Sequence, residues 1–555
     1  MRIKFEDNQI HSTYSDGKHT LQEIFEYNNL RDKLDLIITD HVDKNTEWFS
    51  KYAAEIKKLR KKYNDFNIRI GCEVKILDDG TLNTTSKILG TAEVVLGSVH
   101  HFDGIKTMTG PQLLEREYQL TELLAQSKQI DILGHPFSMA QRFFNIDPPV
   151  KYIKNVYDLC VKNKIKFEYN NKHALTNTKN LAKKEIVKGN INNFSFGSDM
   201  HKDLKEIGDA VFDLVDPASV LVTGAGAGVG QSIIKAIKLS KVKTKLITAD
   251  ASHLAAGLYR GAAAYLIPNC SSKNYISELV KICKKEKVKF IFPGTDIELP
   301  VLAKNKKKIE SQTGAKLVIS NLASIEIADD KWKTVEFLKN NRFPYPYSSL
   351  KNDADSFVKK NGFPLIVKPR IGARSVGFSV VKNLEEMNDQ LSLLPEPIIQ
   401  EYLSEKDEEY TCSSFFHKGK NYGVMTSKRW LRNGDTYKAI FKKNPEIEKF
   451  VAKVGLKLNL YGPCNFQLRK SGNKIKIFEI NCRFSGTTGA ASFLGFNVAN
   501  WLMQKELFGR PLKKLSFREA YMFRYWNELF IDGVQLASLE KNNFIDKPDS
   551  ELNIF

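Results

Sequence analysis

Short apolar runs punctuate the first two hundred residues, and each ends on a histidine or a carboxylate. They are Leu36-Ile-Ile-Thr-Asp-His41, Ile68-Arg-Ile-Gly-Cys-Glu73, Val94-Val-Leu-Gly-Ser-Val-His100, Ile130-Asp-Ile-Leu-Gly-His135, Ile165-Lys-Phe-Glu168 and Phe194-Ser-Phe-Gly-Ser-Asp199. Runs this short and this apolar predict buried strands, whereas the intervening segments, such as Thr46 to Tyr63 and Val150 to Lys164, carry a helical period. Strands alternating with helices predict parallel pairing through crossovers. Polar groups at strand C-terminal ends are where a β/α barrel builds its site. A second α/β pattern begins at Ser219-Val-Leu-Val-Thr-Gly224-Ala-Gly226-Ala-Gly228-Val-Gly230. It continues through a helix over Gln231 to Leu239, a strand over Lys245 to Ala249, and Lys289-Phe-Ile-Phe-Pro-Gly-Thr-Asp296. The glycine spacing departs from G-x-G-x-x-G because position 229 is valine, so the loop alone is weak evidence for nucleotide binding and close strand-to-helix packing is at least as good a reading.

With 555 residues the chain is too long for a single core, and 42% hydrophobic with 27% charged residues is an ordinary globular balance. The formal net charge of +20 changes the picture only through its placement. Residues 1 to 217 hold 31 basic against 31 acidic groups, and the remainder holds 53 against 33. Much of the excess falls on expected helix faces, Lys281 to Lys289 and Lys304 to Lys308, where lysine is solvated. Attraction of anionic small molecules is the next reading and nucleic acid the last. Seven cysteines without a C-x-x-C pair suggest neither a disulfide framework nor a zinc knuckle and fit a reducing cytoplasm. Met1 runs straight into the first polar motif, with no signal-peptide pattern, and no apolar run approaches the ~18 residues of a membrane span. A cytoplasmic protein without membrane contact is expected.

Eight of the ten histidines lie between Met1 and His201. Most sit beside carboxylates: His11-Ser-Thr-Tyr-Ser-Asp16-Gly17, Thr39-Asp40-His41, Gly71-Cys-Glu73, Gly97-Ser-Val-His100-His101, Gly134-His135-Pro136 and Gly197-Ser-Asp199-Met-His201. Imidazole nitrogens and ionised carboxylates are donors for borderline and hard divalent metals. Over roughly residues 1 to 212 these motifs resemble the PHP family of polymerase-associated and histidinol-phosphatase domains. That resemblance implies a distorted β/α barrel binding two or three divalent metals (zinc, manganese or iron) and hydrolysing phosphoesters. It carries over the ligands His11, Asp16, His41, Glu73, His100, His135, Asp199 and His201, with Asp16 and His41 also assigned to catalysis. The family usually opens H-x-H, whereas this chain reads Gln9-Ile10-His11, and an uncharged amide is a weaker donor than imidazole. His19 and His101 read as outer or surface groups. Glu168 reads as orienting a neighbour.

From about residue 218 to 515 the chain resembles ATP-grasp ligases of the carbamoyl-phosphate synthase large-chain type. The motifs that carry the resemblance are Asp330-Lys331-Trp-Lys-Thr, Pro364-Leu-Ile-Val-Lys368-Pro-Arg370, Gly372-Ala-Arg374-Ser-Val-Gly377, Gln400-Glu401-Tyr402, Glu408-Glu409-Tyr-Thr, Asn465-Phe-Gln467 and Phe478-Glu479-Ile-Asn481-Cys-Arg483. Fixed positive charge at Lys331, Lys368 and Arg370 suits ATP phosphates, and the loop from Gly372 to Gly377 lets backbone amides approach anions. By the resemblance, Gln400, Glu401 and Tyr402 form the adenine edge, and Glu409 binds ribose. Gln467, Glu479 and Asn481 hold magnesium (or manganese), and Arg483 and Arg374 act on the transferring phosphoryl group. Only one such unit is present, and there is no evident glutaminase, so carbamoyl phosphate itself is not the expected product.

The expected fold class is α/β: a PHP-type distorted barrel over 1–215, a Rossmann-like pre-ATP-grasp domain over 216–330, an α+β ATP-grasp domain over 331–515 and a C-terminal extension over 516–555. Within that extension, Tyr521-Met-Phe-Arg-Tyr-Trp526 reads as a strand that closes the domain. The expected function is bifunctional. One half joins a small-molecule carboxylate to an amine or ammonia through an acyl phosphate, and the other hydrolyses a phosphoester. The acceptor pocket is expected around Asp296 to Glu298 and Lys428 to Thr436. The alternatives are a PHP phosphatase regulated by a nucleotide-binding, non-ligase ATP-grasp half, and a nucleic-acid-processing protein, which no aromatic-basic motif supports. Homo-oligomerisation is left open.

Overall fold

The strands of the first unit are largely buried, including Glu6–Ile10, whose residues are mostly polar. A computed structural model describes residues 3–372, 376–404, 408–471, 474–525 and 527–552, and the chain divides into two units, Met1–Asp216 and Pro217–Phe555. In the first unit eight strands, β1 (Glu6–Ile10), β2 (Asp35–Ile38), β3 (His41–Val42), β4 (Ile68–Lys75), β5 (Val94–Ser98), β6 (Ile132–Leu133), β7 (Lys166–Asn170) and β8 (Phe194–Gly197), form one sheet. Its order is β1-β2-β4-β5-β6-β7-β8, with β3 on β4, and every pairing is parallel. A parallel bridge between Ile10 and Met200, with His11 N donating to Met200 O at 3.0 Å, brings the end of the sheet back to β1. The result is the nearly closed β/α barrel expected from the sequence, with all the candidate ligands at its C-terminal mouth.

Local chemistry sets the element ends. The helix Leu21–Leu30 opens with a capping box, in which Thr20 Oγ1 accepts from Glu23 N and Glu23 Oε2 accepts from Thr20 N. The helix expected from Thr46 begins instead at Phe49. Asp43 and Thr46 bond to each other in a turn, Asp43 N donating to Thr46 Oγ1 at 2.9 Å, and the chain has no helical geometry until it leaves that turn. Gly197 is required by close approach: a Cβ there would lie 1.9 Å from Glu168 Oε1 and 2.8 Å from Gln9 Cβ.

The second unit opens with a parallel sheet built from β9 (Ala218–Thr223), β10 (Thr244–Asp250), β11 (Ala263–Leu266), β12 (Phe290–Pro293) and β13 (Lys316–Leu317), in the order β13-β12-β9-β10-β11. The late strand Phe544–Asp546 adds to β11 antiparallel. The order reverses around β9, and such a switch point opens a crevice at the strand C-terminal ends. Two antiparallel sheets follow. One contains β14 (Ser348–Leu350), β15 (Leu365–Pro369), β16 (Ser379–Val381) and β17 (Pro397–Glu401). The other contains β18 (Glu408–His417), β19 (Lys420–Arg432), β20 (Asp435–Phe441), β21 (Gly462–Ser471), β22 (Lys474–Asn481) and β23 (Ala520–Phe523). Of the expected strand over Tyr521 to Trp526, Tyr521 to Phe523 pair as β23 on β20, Arg524 and Tyr525 lie beyond the strand, and Trp526 lies outside the described residues. No helix among the described residues is long and apolar enough to cross a membrane.

Candidate functional site

The barrel mouth collects all eight side chains that the motifs singled out. Glu73, 1% exposed on β4, is the hub. Its Oε1 lies 2.6 Å from His100 Nε2 and 3.0 Å from His135 Nε2, and its Oε2 lies 3.3 Å from His11 Nε2 and 3.9 Å from His41 Nδ1. Asp16 Oδ2 faces His201 Nε2 at 3.3 Å and His41 Nε2 at 3.6 Å, and Asp199 Oδ1 faces His11 Nε2 at 3.3 Å. Three groups have mutually close donor atoms: His11, Asp16, His41 and His201; His41, Glu73 and His100; and His11, Glu73 and Asp199.

These residues fit divalent metals by a test internal to the structure. His11 is fully buried and both of its ring nitrogens lack a hydrogen-bond partner, although carboxylates surround it. An orphaned imidazole costs free energy unless a cation takes its lone pair. Burial lowers the His11 pKa, but the nearby carboxylates of Asp199 and Glu73 outweigh it and raise it to about 10. At His135 burial again lowers, and Glu73 raises the group to about 9. Such values mark sites of concentrated negative charge. Two of the ligand positions also carry backbone strain, since His135 has φ +23° and Asp199 φ +52°. Left-handed geometry at non-glycine residues persists where surroundings enforce it, commonly at functional sites.

Three residues outside the expected ligand set complete this mouth. His173, on the loop after β7, places Nε2 3.2 Å from Asp199 Oδ2. Nothing in Asn170-Asn-Lys-His173 announces it, because no carboxylate or glycine accompanies the histidine. Glu168 accepts from His135 N at 2.6 Å, which braces that strained residue, and burial pushes its own carboxyl up to about 8. Gln9 is buried and bonded to Glu73. His19 turns to Lys202 O, 3.0 Å away, and His101 is exposed.

In the second unit a cavity of about 240 Å³ lies between the two antiparallel sheets, lined among others by Lys331, Lys368, Gly372, Gln400, Tyr402 and Glu409. Lys368 is buried, and its Nζ donates to Gln400 Oε1 at 2.9 Å. Burial, then the Lys331 charge, lower its pKa to about 8 against an opposing pull from Glu479. Glu409 is clamped by Arg429 Nε at 2.9 Å and Arg469 at 2.7 Å. Arg429 falls in the stretch expected to line the acceptor pocket but here holds Glu409, and nothing in the sequence singled out Arg469.

Other expected residues sit elsewhere. Arg370 does not line the cavity: its Nε donates to both oxygens of Asp330, at 2.7 and 2.8 Å, because Asp330 caps the helix Lys331–Asn340 beside it. Glu401 points to Lys476 and accepts from Tyr347 N. Gly377, at φ +73°, packs on Pro369. Arg374 lies outside the described residues. Of the expected magnesium set, Gln467 has its oxygen taken by Arg429 at 2.7 Å. The amides of Gln467 and Asn481 both donate to Glu479 Oε1, at 3.0 and 2.8 Å. Glu479 is thus the supported carboxylate, and the two amides hold it.

A second cavity, about 630 Å³, opens at the switch point of the parallel sheet. Its walls include Gly226, Gly228, Asp250, Asp296, Asp435 and Arg483. Asp250 braces the glycine loop by accepting from Gly226 N at 2.8 Å. The two cavities share Arg429, Gln467 and Glu479.

Residues 328–487 match the family model described as "ATP-grasp domain". The chain therefore contains an ATP-grasp domain. Residues 220–318 match "PylC-like, N-terminal domain". Among curated proteins, the chain is 24% identical over 336 residues to the carbamoyl phosphate synthase large chain of Caldanaerobacter subterraneus, covering 55% of this chain and 30% of that one. It is 30% identical over 202 residues to D-alanine–D-alanine ligase of Bacillus anthracis, covering 34% and 64%. It is 29% identical over 137 residues to the DNA polymerase/3'-5' exonuclease PolX of Bacillus subtilis, covering 23% of each. The chain spans less than two thirds of the length of each of these relatives.

Proposed function

We propose that the ATP-grasp unit is an ATP-dependent ligase that joins a small-molecule carboxylate to an amine or ammonia, and that the barrel unit hydrolyses a phosphoester. The observation that carries the ligase reading is the wall of Arg429, Gln467 and Glu479 shared by the two cavities. A nucleotide held against Lys331 and Lys368 on one side would present its γ-phosphate to a carboxylate held beside Arg483 on the other. The carboxylate oxygen attacks phosphorus and ADP leaves. The amine nitrogen then attacks the acyl carbon, phosphate leaves and the amine gives up a proton. Lys368 and Arg483 neutralise charge and orient the partners, a task of positioning that needs no dedicated protein base. Glu479 is the carboxylate that would hold the magnesium accompanying ATP, which when bound would neutralise phosphate charge. The relatives named as ligases support this reading.

For the barrel, support comes from the donor set and from the relative named as an exonuclease, an enzyme class that cleaves phosphodiesters. His11, Asp16, His41, Glu73, His100, His135, Asp199 and His201 would hold the metals, which when bound supply Lewis acidity and an acidified water. Glu168 holds the His135 backbone, and half-exposed His41 and Asp16 face the mouth where a phosphoester would enter.

The deciding experiment is ADP release by the full chain with Mg-ATP against a library of carboxylates plus ammonium or amino acids, with Glu479→Ala as control. Carboxylate-dependent ADP release lost in the variant supports the ligase. ATP binding without turnover of any pair counts against it and favours a nucleotide-responsive role. Phosphate release from phosphomonoesters with manganese or zinc, compared with His100→Ala, tests the barrel.

A further inference from the structure

At the barrel mouth the three donor groups are unequal, and Gln9 is the reason. Gln9 is fully buried on β1, and its Nε2 donates to Glu73 Oε2 at 2.8 Å. A glutamine could in principle be turned over to offer its oxygen there, but donor and acceptor logic fixes its direction. The backbone N–H of Lys172 can only donate, and it donates to Asn170 Oδ1 at 3.0 Å. The Asn170 amide is thereby oriented with Nδ2 toward Gln9 Oε1, 3.0 Å away. With its oxygen occupied by Asn170, Gln9 has only its NH2 group to present to Glu73. Flipping Gln9 alone would set two NH2 groups against each other in a site without water access, which costs more than either hydrogen bond returns.

The oxygen that Gln9 engages, Glu73 Oε2, is the one that faces His11 Nε2 at 3.3 Å, and His11 faces Asp199 Oδ1 at the same distance. These atoms define the third group. A cation there would have three protein donors, would compete with an N–H for the lone pairs of Glu73 Oε2, and would share His11 with the four-donor group of Asp16, His41 and His201. The remaining group, His41, Glu73 and His100, also has three donors and shares His41 with the four-donor group, but no N–H competes for its carboxylate oxygen: Gln9 does not touch Glu73 Oε1, which has His100 Nε2 at 2.6 Å and His135 Nε2 at 3.0 Å beside it.

We infer that Gln9 is a positioning residue for Glu73 and not a metal ligand, so that the barrel retains two divalent ions firmly and exchanges any third at the His11, Glu73 and Asp199 corner. This rests on the metal-centre reading of the barrel. It is tested by metal counting on the full-length protein, loaded with manganese, passed through gel filtration and analysed by inductively coupled plasma mass spectrometry. Anomalous diffraction at the manganese edge then locates the ions. The expected result is two manganese per chain in the wild type and three in Gln9→His, whose imidazole adds a fourth donor to the third corner. Gln9→Glu, which exchanges the competing NH2 for a carboxylate oxygen, is expected to retain three as well and serves where the histidine variant folds poorly. Three firmly held ions in the wild type, with one in contact with Gln9 Oε1, overturn the inference and leave the metal centre standing. So does a count that stays at two in folded Gln9→His and Gln9→Glu. Fewer than two ions in the wild type overturn the metal-centre reading itself.

Discussion

Arg483 donates to Asp296 Oδ2 across 2.7 Å, which ties the end of β22, where Glu479 and Asn481 sit, to the loop that follows β12. The pair is largely buried, and with Arg483 Nη1 donating to Phe484 O at 2.8 Å, Asp296 is the side chain that holds the guanidinium at the second cavity. Removing one member of such a pair releases the other rather than deleting it. Asp296→Ala should therefore raise the KM for the carboxylate about tenfold, which corresponds to ~1.4 kcal/mol of lost binding. The KM for ATP should hardly change, because Asp296 lines only the second cavity. Steady-state kinetics with each substrate varied in turn checks the split, and an equal rise in both constants would show that the two cavities do not divide the labour.

Lys368 gives the nucleotide side a pH signature. Burial leaves its ammonium with a pKa of about 8 in the free protein, well under the ordinary lysine value of 10.5. Phosphates bind the charged form, so nucleotide binding draws a proton onto Lys368 and weakens as the free form titrates away. Affinity for ADP should be flat below pH 7 and fall roughly tenfold between pH 8 and 9.5. The same shift acts on stability with the opposite sign: between about 8 and 10.5 the unfolded chain holds a proton that the native chain does not, so this group's contribution to stability rises with pH. Calorimetric titration of ADP at stepped pH checks the first effect. Lys368→Arg, which stays charged, should abolish the slope whatever its absolute affinity.

The extent to which these sites could be read in advance depends on how local their signals are. Glu73, His100, His135 and Asp199 end apolar strands, so one property of the chain announced both the barrel and its ligands. Lys368 was legible for the same reason, since it lies at the end of the β-branched strand β15, whereas Lys331 opens a helix. What escaped depends on distant partners. His173 has no motif and becomes significant only when the β7 loop meets Asp199. Arg370 carried a suitable charge, but Asp330, forty positions away, claimed it. Gln9 could be seen as a substitution, yet its direction needs Asn170 and Lys172, which no periodicity connects to β1.

The glycine loop after β9, open in the sequence between packing and ligand contact, packs tightly at one residue and lines the second cavity at another. A Cβ on Gly230 would lie 2.1 Å from Gly224 O, so this position is needed for strand-to-helix packing. A Cβ on Gly228 would meet only Asp435 Oδ1, at 3.8 Å, although Gly228 begins the helix Gly228–Lys238 and lines the second cavity. Gly230→Ala should destabilise by ~1–3 kcal/mol through overpacking. Gly228→Ala should leave thermal stability unchanged or slightly raised, because alanine is the better helix former. It should nevertheless weaken substrate binding on the acceptor side. Melting curves and KM values for the two variants separate a structural glycine from one that clears space for a ligand.

The barrel mouth makes the strongest demand on stability. Glu73, His11 and His135 are buried together, and although burial acts the other way, the carboxyls of Glu73 and Asp199 are held well below their ordinary range, Glu73 by the charges of His41 and His100 and Asp199 by the neighbouring His11 and by its bond to His173. Divalent ions bound there stabilise the native chain by mass action, about 2.7 kcal/mol per site at free metal a hundredfold above Kd. A unit of this size loses roughly 2–4 °C of Tm per kcal/mol, so stripping two ions should lower the Tm by about 10–20 °C. Scanning calorimetry before and after chelation, with recovery on adding manganese, measures the shift. In Glu73→Ala the shift should shrink by at least half, because Glu73 serves two of the three donor groups. A chelator shift that is the same size in Glu73→Ala would show that the ions act elsewhere, since Glu73 is the side chain that meets His11, His100 and His135 together.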